Sequence, residues 1–289
     1  MIELQVIGDS ESRRTFGGDT LNVAVYAARC LEDVESQISF VTALGDDPFS
    51  DEMVAFIMKE DVDCTLIASI PGKLPGLCVI TLKVGERTPW FWRNQAAARD
   101  LSRAPAFARI REALADYDAL YFSGITLGNL DDASRIELLN VMQKSREAAA
   151  MVIFDNNYRP PLWSSADEVR KWANNALDIS THALPTFSDE ALLFNDASPE
   201  NTLDRIAAHG VGEIVVKDGK DPCLISLDGT RIPVAPDSHI IPVDTTAAGD
   251  SFNGAYLASR LQGKDAREAH RVAAHVIQYK GAIVPRRPA

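Results

Sequence analysis

Cysteine is scarce and scattered. The 289-residue chain carries four, Cys30, Cys64, Cys78 and Cys223, with no Cys-x-x-Cys pair. The five histidines, His182, His209, His239, His270 and His275, are equally dispersed. Neither a metal cluster nor a disulfide framework is expected from such spacing, and a reducing cytoplasm is the expected compartment. Positive charge is also in short supply: 29 Lys and Arg face 41 Asp and Glu, a net charge of -12. That balance argues against a nucleic-acid partner or an anionic membrane surface, while leaving room for a local basic pocket. No apolar run approaches the roughly 18 residues of a membrane span. The opening Met1-Ile2-Glu3-Leu4 does not read as a signal peptide. There is no internal repeat, low-complexity tract or linker, and no Gly-x-Gly-x-x-Gly follows a strand pattern, which counts against a nicotinamide dehydrogenase.

What is present is a large apolar fraction, 46%, enough for a sizeable core. Glu3 to Ile7 is a short alternating segment, followed by the polar run Gly8 to Thr15. Ile38 to Leu44 reads as a buried strand, and Phe49 to Lys59 as an amphipathic helix opened by Ser50 and Asp51. Leu74 to Asn94 predicts a hairpin turning at Val84-Gly85-Glu86-Arg87, with Trp90 and Trp92 on one face and Phe91 and Arg93 on the other. From Asp118 onward strands and helices alternate: Ala119 to Ser123, a helix from Asp131 to Ala149, Met151 to Asp155, a helix after Ser164, a strand at Ala183 to Thr186, a helix after Ser198, then Glu213 to Lys217 and Cys223 to Leu227. This alternation predicts an α/β fold with a mainly parallel, doubly wound sheet flanked by helices. Ligands then collect at the carboxyl ends of its strands, where Ser123-Gly124, Asp155 to Pro160 and Lys217-Asp218-Gly219-Lys220 lie.

The stretch Pro242 to Leu257 organises the chain. Its small residues, Thr245, Thr246, Ala247, Ala248 and Gly249, feed into an apolar helical pattern, so the amides of 247 to 250 can face an anion from an unpaired, dipole-positive helix start. Asp250 stands beside them, where a carboxylate can take a proton from a hydroxyl while the amides stabilise a transferring phosphoryl group. An ordinary capped helix with an acidic first turn satisfies the same pattern. A second turn, Gly17-Gly18, precedes Asp19 or Thr20 in a capping position and an Ala-rich helix, and can bring backbone close to a small ligand or serve only as a turn.

Asp244 to Leu257 resembles, position by position, the C-terminal signature of the ribokinase-like (PfkB) carbohydrate kinases. Gly17-Gly18-Asp19-Thr20-Leu21-Asn22 resembles the substrate motif of the sugar-acid kinases within that family, those acting on 2-keto-3-deoxygluconate. The resemblance runs over nearly the whole chain and implies a single ribokinase-like domain, residues 1–289, with a small β lid at about 74–94. It implies Asp250 as catalytic base in contact with substrate, Ala247, Ala248 and Gly249 as the anion hole for the ATP γ-phosphate, and Gly18, Asp19, Thr20, Leu21 and Asn22 around the sugar hydroxyls. Phe91 belongs to the lid, Arg93 meets the substrate carboxylate, and Asn157, Arg159, Lys217 and Gly219 contact nucleotide or sugar acid. ATP and Mg2+ are the implied cofactors, with no dedicated protein metal ligand; the implied partners are a sugar acid and ATP, and a homo-oligomer formed through the β lid. Cys78 and Phe91 stand where relatives carry tyrosines, so another sugar acid or a neutral ketose is the alternative substrate. A sugar-binding sensor on an inactive fold is the non-enzyme alternative. Relatives also begin roughly ten residues earlier, with a strand of the central sheet, so a first core strand is expected upstream of Met1.

Overall fold

The computed structural model describes residues 1–7, 11–32, 36–83, 86–227, 229–236, 240–264 and 267–286. The chain divides into two compact units: Met1–Phe107 with Val243–Lys264 and His275–Ala289, and Ala108–Pro242 with Asp265–Ala274.

The first unit opens with β1 (Ile2–Val6) and β2 (Ser12–Phe16), then α1 (Asp19–Cys30), β3 (Ile38–Ser39), β4 (Thr42–Leu44), α2 (Pro48–Lys59), β5 (Val62–Asp63), β6 (Ile67–Ser69), β7 (Leu77–Lys83) and β8 (Glu86–Trp92). The predicted hairpin forms as β7 and β8, paired from Leu77↔Trp92 to Lys83↔Glu86. Val84 and Gly85 of its expected turn, like Gly8 and His239, lie outside the described residues. The sheet that holds this hairpin is wider than two strands. It is a four-stranded sheet in the order β2-β1-β7-β8, in which the alternating segment Glu3 to Ile7 supplies β1 and part of the expected polar run supplies β2.

Two local expectations are corrected. Ile38 to Leu44 is not one strand but two, because Ile38–Ser39 pairs β5 while Thr42–Leu44 pairs β6; the break falls at Phe40, whose side chain enters the core formed by Leu21, Ala24, Val25, Leu44, Met53, Ile57 and Val62. Helix α2 is capped by Asp47, not by Ser50 or Asp51: its carboxylate accepts from Phe49 N (2.9 Å) and Ser50 N (3.2 Å), and Pro48 fills the first turn where no amide is needed.

The second unit begins within α3 (Phe107–Ala113) and continues through β9 (Ala119–Ser123), α4 (Gly124–Asn129), α5 (Asp132–Glu147), β10 (Met151–Asp155), α6 (Ala166–Ile179), β11 (His182–Ala183), α7 (Phe187–Phe194), α8 (Pro199–Ala207), β12 (Glu213–Val216), β13 (Cys223–Leu227) and β14 (Thr230–Val234). Its sheet runs β14-β13-β12-β11-β10-β9, with β9 to β12 parallel and β13 and β14 antiparallel. The expected strand at Ala183 to Thr186 shrinks to His182–Ala183, since Pro185 cannot donate to a ladder and Thr186 already precedes α7.

The chain then returns to the first unit as α9 (Ala248–Leu261) before α10 (Arg267–Val276). Helix α9 packs along α1, and residues 251–256 are all buried, which is why this helix reads as apolar on every face. His270 on α10 is largely buried, its Nε2–H donating to the Val234 carbonyl at 2.9 Å.

Candidate active site

In the first unit the structure brings the two glycine-containing turns together. Gly18 is the residue before α1, at φ 134°, in the left-handed region that favours glycine, and no side chain caps this helix; the expected Asp19 or Thr20 cap is therefore replaced by backbone geometry. Gly17 lies against Glu3 of β1, with a Cβ at that position 2.4 Å from Glu3 Oε1, so a larger residue there would have to turn the Glu3 side chain aside. Asp19 and Thr20 in the first turn of α1 are half-buried. Leu21 is turned away, fully buried in the core cluster, because one residue along a helix rotates the side chain by about 100°; its side chain is a core residue and not a sugar contact. Asn22, one position on, points at α9, and its Nδ2–H donates to Asp250 Oδ2 at 2.8 Å.

Ala247 holds the start of α9 at φ 59°, ψ 18°, a left-handed conformation that costs a non-glycine residue about 1 kcal/mol. The preceding loop is pinned by Asp244, whose Oδ1 accepts from Thr246 N (3.0 Å) and Thr246 Oγ1 (2.7 Å) and whose Oδ2 accepts from Gly281 N (2.8 Å). Within the turn, Ala248 N–H is used by the Thr245 carbonyl at 3.1 Å, and Ser251 N–H by Ala247 at 2.8 Å. The amides of Gly249 and Asp250 belong to the first helical turn, at the dipole-positive start of α9, where an anion is favoured. Beneath the pair, Tyr26 on α1 donates its hydroxyl to Ala282 O at 2.7 Å. Burial pushes that phenol up to about 12, and the Asp250 charge adds to the effect, so Tyr26 stays a neutral donor.

On the lid, Arg93 lies over the Phe91 ring, 4.3 Å from its centroid, as expected of residues on one strand face. Cys78 pairs with Phe91 across the hairpin and is buried, whereas Trp90, Phe91 and Trp92 are each about half exposed and do not enter a core.

The second unit gathers the remaining residues at the carboxyl ends of its parallel strands. Asp155 ends β10; its Oδ1 accepts from Asn157 N (3.0 Å) and its Oδ2 from Lys217 Nζ (2.8 Å) at the end of β12. Lys217 is thus a buried partner of Asp155, fixing the turn that displays Asn157, which sits at φ 38°. Arg159 reaches Asp189 at 3.4 Å from an exposed position, an ion pair that a competing anion can displace at little cost. Burial raises the Asp189 carboxyl above its ordinary range against the pull of Arg159. Gly219 is left-handed at φ 58°, with no atom near its missing Cβ. Sequence reasoning missed Glu190: this α7 carboxylate accepts from Asn156 Nδ2 (3.0 Å) and from Arg205 (2.6 Å), directly under the Asn157 turn. The available signal was Asp189-Glu190 heading the apolar run Ala191-Leu192-Leu193-Phe194.

This geometry places the Asp250 carboxylate in the first turn of a helix that starts behind a small-residue loop. The family model described as pfkB family carbohydrate kinase matches residues 5–288, and the chain belongs to that family. It is 44% identical over 99% of its length to a 2-dehydro-3-deoxygluconokinase of Dickeya dadantii, covering 94% of that protein. Among solved structures it resembles the 2-dehydro-3-deoxygluconokinase of Thermotoga maritima, with a TM-score of 0.83 at 19% identity, 98% of this chain and 92% of that one. A ribokinase II from E. coli in complex with ATP and Mg+2 superposes with a TM-score of 0.82 at 21% identity, covering 97% and 91%. The fold expected from the sequence is the fold these structures share.

Proposed function

We propose that this protein transfers the γ-phosphoryl group of ATP to the primary hydroxyl of 2-dehydro-3-deoxy-D-gluconate, giving the 6-phosphate. The observation that carries the reading is the Asp250 carboxylate, hydrogen-bonded to Asn22 and seated in the first turn of α9 behind a strained Ala247. Full-length identity of 44% to a kinase named for this sugar acid supports the substrate. Asp250 takes the hydroxyl proton, and the first-turn amides of α9 offset charge on the moving phosphoryl group. Arg93, stacked on Phe91, pairs with the sugar-acid carboxylate, while Gly18, Asp19 and Thr20 meet the hydroxyls. Asn157, Arg159, Lys217 and Gly219 serve the nucleotide side, with Arg159 also assigned to the sugar acid.

A divalent cation arriving with ATP takes oxygen ligands, mainly phosphate. The protein is assigned to the cytoplasm; no described helix is long and apolar enough to cross a membrane. We assign it a homo-oligomeric state through the outer face of the lid.

A coupled ADP-release assay over a panel of sugar acids and fructose tests the reading. The highest kcat/KM is expected on 2-dehydro-3-deoxygluconate. A higher value on fructose would favour the neutral-ketose alternative, which the buried Cys78 and the phenol-less Phe91 keep open.

A further inference from the structure

Asn22 and Asp250 are 228 residues apart in sequence and meet only because α1 and α9 pack together. Asn22 is 4% exposed, so the 2.8 Å bond to the carboxylate is largely shielded from water. An ionised carboxylate only accepts, which fixes the amide orientation: the NH2 group must face Asp250, and Oδ1 faces away. That Oδ1 is buried without a hydrogen-bond partner, a rare condition for a buried carbonyl oxygen. One helical turn further along each helix, a glycine of α9 packs against the backbone of α1. Gly254 stands four residues after Asp250, and Tyr26 four after Asn22. A Cβ on Gly254 would lie 2.5 Å from Val23 O, 2.8 Å from Ala27 N and 2.9 Å from Tyr26 Cβ. Any larger residue at 254 therefore forces the helices apart at the level that sets the Asn22–Asp250 distance.

We propose that Asn22 is the positioning residue for Asp250, with Gly254 setting the helix spacing that makes the contact possible. The donated hydrogen bond holds the carboxylate in one orientation toward the first-turn amides. The role rests on the reading of Asp250 as general base. It differs from a direct hold on a sugar hydroxyl through Oδ1, which would register as binding and not as turnover.

A double-mutant cycle tests it on the full chain, with ATP and 2-dehydro-3-deoxygluconate as substrates and thermal melting to confirm folding. Asn22→Ala is expected to lower kcat by about 10- to 100-fold while the sugar-acid KM moves less than about threefold. In an Asp250→Asn background the same change is expected to cost less than about threefold, because the group it positions is gone. Asn22→Asp preserves volume but replaces the donor with a second carboxylate, and is expected to lose at least as much kcat as the alanine variant. Gly254→Ala should reproduce the kcat loss of Asn22→Ala. Equal losses in both backgrounds, or a loss confined to KM, would overturn the positioning role; a folded Gly254→Ala enzyme with unchanged kcat would overturn the spacing role. If Asp250→Asn alone keeps more than about a tenth of the wild-type rate, the base assignment fails, and the positioning role falls with it.

Discussion

At the scale of single residues, the site divides into groups that act on charge and groups that select substrate. Asp250→Asn preserves shape and hydrogen bonding to Asn22 while removing the proton acceptor, so kcat should fall by about 10²-fold or more with ATP binding, measured by calorimetry, unchanged. Arg93 offers a planar fork that a carboxylate fills and a neutral sugar does not, and its stacking on Phe91 preorganises that fork. Arg93→Leu should therefore raise KM for the sugar acid at least about tenfold more than KM for fructose, and equal rises on both would remove Arg93 from the carboxylate. Phe91→Tyr is sterically open, since the ring is half exposed, and should tighten sugar-acid binding by about 0.5 to 1.5 kcal/mol if the phenol finds its partner. The matching change at Cys78 is different: that side chain is buried, and a tyrosine there overpacks the lid before it can donate anything.

Between residue and element stands the Glu190 network under the nucleotide turn. Burial pushes Glu190 up to about 7, against the opposing pull of Arg205 and Asn156. A carboxyl raised in the folded state holds its proton where the unfolded chain has lost it, so it contributes stability at low pH that is lost as pH rises from about 4.5 to 7. Glu190→Gln mimics the protonated form at every pH. Its stability relative to wild type, from urea unfolding, should thus improve between pH 5 and pH 8 by up to about 3 kcal/mol. A variant that instead loses stability toward pH 8 would show that the ion pair with Arg205 outweighs desolvation. The turn itself is gripped from the other side by α4, where a Cβ on Gly124 would fall 1.8 Å from Asn156 O. Gly124→Ala must displace that backbone, so ATP affinity measured without sugar should drop and the midpoint of unfolding should fall by the equivalent of about 1 to 3 kcal/mol. Elements such as β9, β10 and β13 were legible because each is a continuous apolar run matched by a partner on either side or by a flanking helix. β3, β4 and β11 have two or three residues each, and their bounds are decided by pairing partners distant in sequence. α7 was missed because Thr186 gives it no side-chain cap and Glu190 interrupts its apolar face. The small-residue loop and Asp250 announce a helix-start anion site in one continuous stretch, whereas the bond to Asn22 depends on helix packing that no local pattern encodes.

At the scale of the whole molecule, the lid sheet has two chemically distinct faces. Strand alternation and the observed register put Glu3, Cys78 and Phe91 on one face, where Glu3 lies against Gly17 beside the substrate turn. Leu4, Leu77, Val79, Trp90 and Trp92 share the other, with Trp90 and Trp92 exposed by 54% and 60% and the Trp90 indole tethered to Thr81 Oγ1 at 3.1 Å. Two exposed tryptophans on an ordered strand are costly to leave in water and supply the anchor type that dominates protein interfaces. A second copy of the same face is the occupant assigned here, and a two-fold pairing would cover both sets of indoles at once. The net charge of -12 on each chain opposes that association, so the dimer should tighten as salt screens the repulsion, the reverse of an interface held by ion pairs. Sedimentation velocity should accordingly show a dimer that persists or strengthens between 0.05 and 0.5 M NaCl. Trp90→Glu with Trp92→Glu should give a folded monomer of 31.5 kDa. A double variant that sediments like wild type would move the interface elsewhere, and a wild-type protein that is monomeric in both salts would leave the tryptophan face without the partner assigned to it.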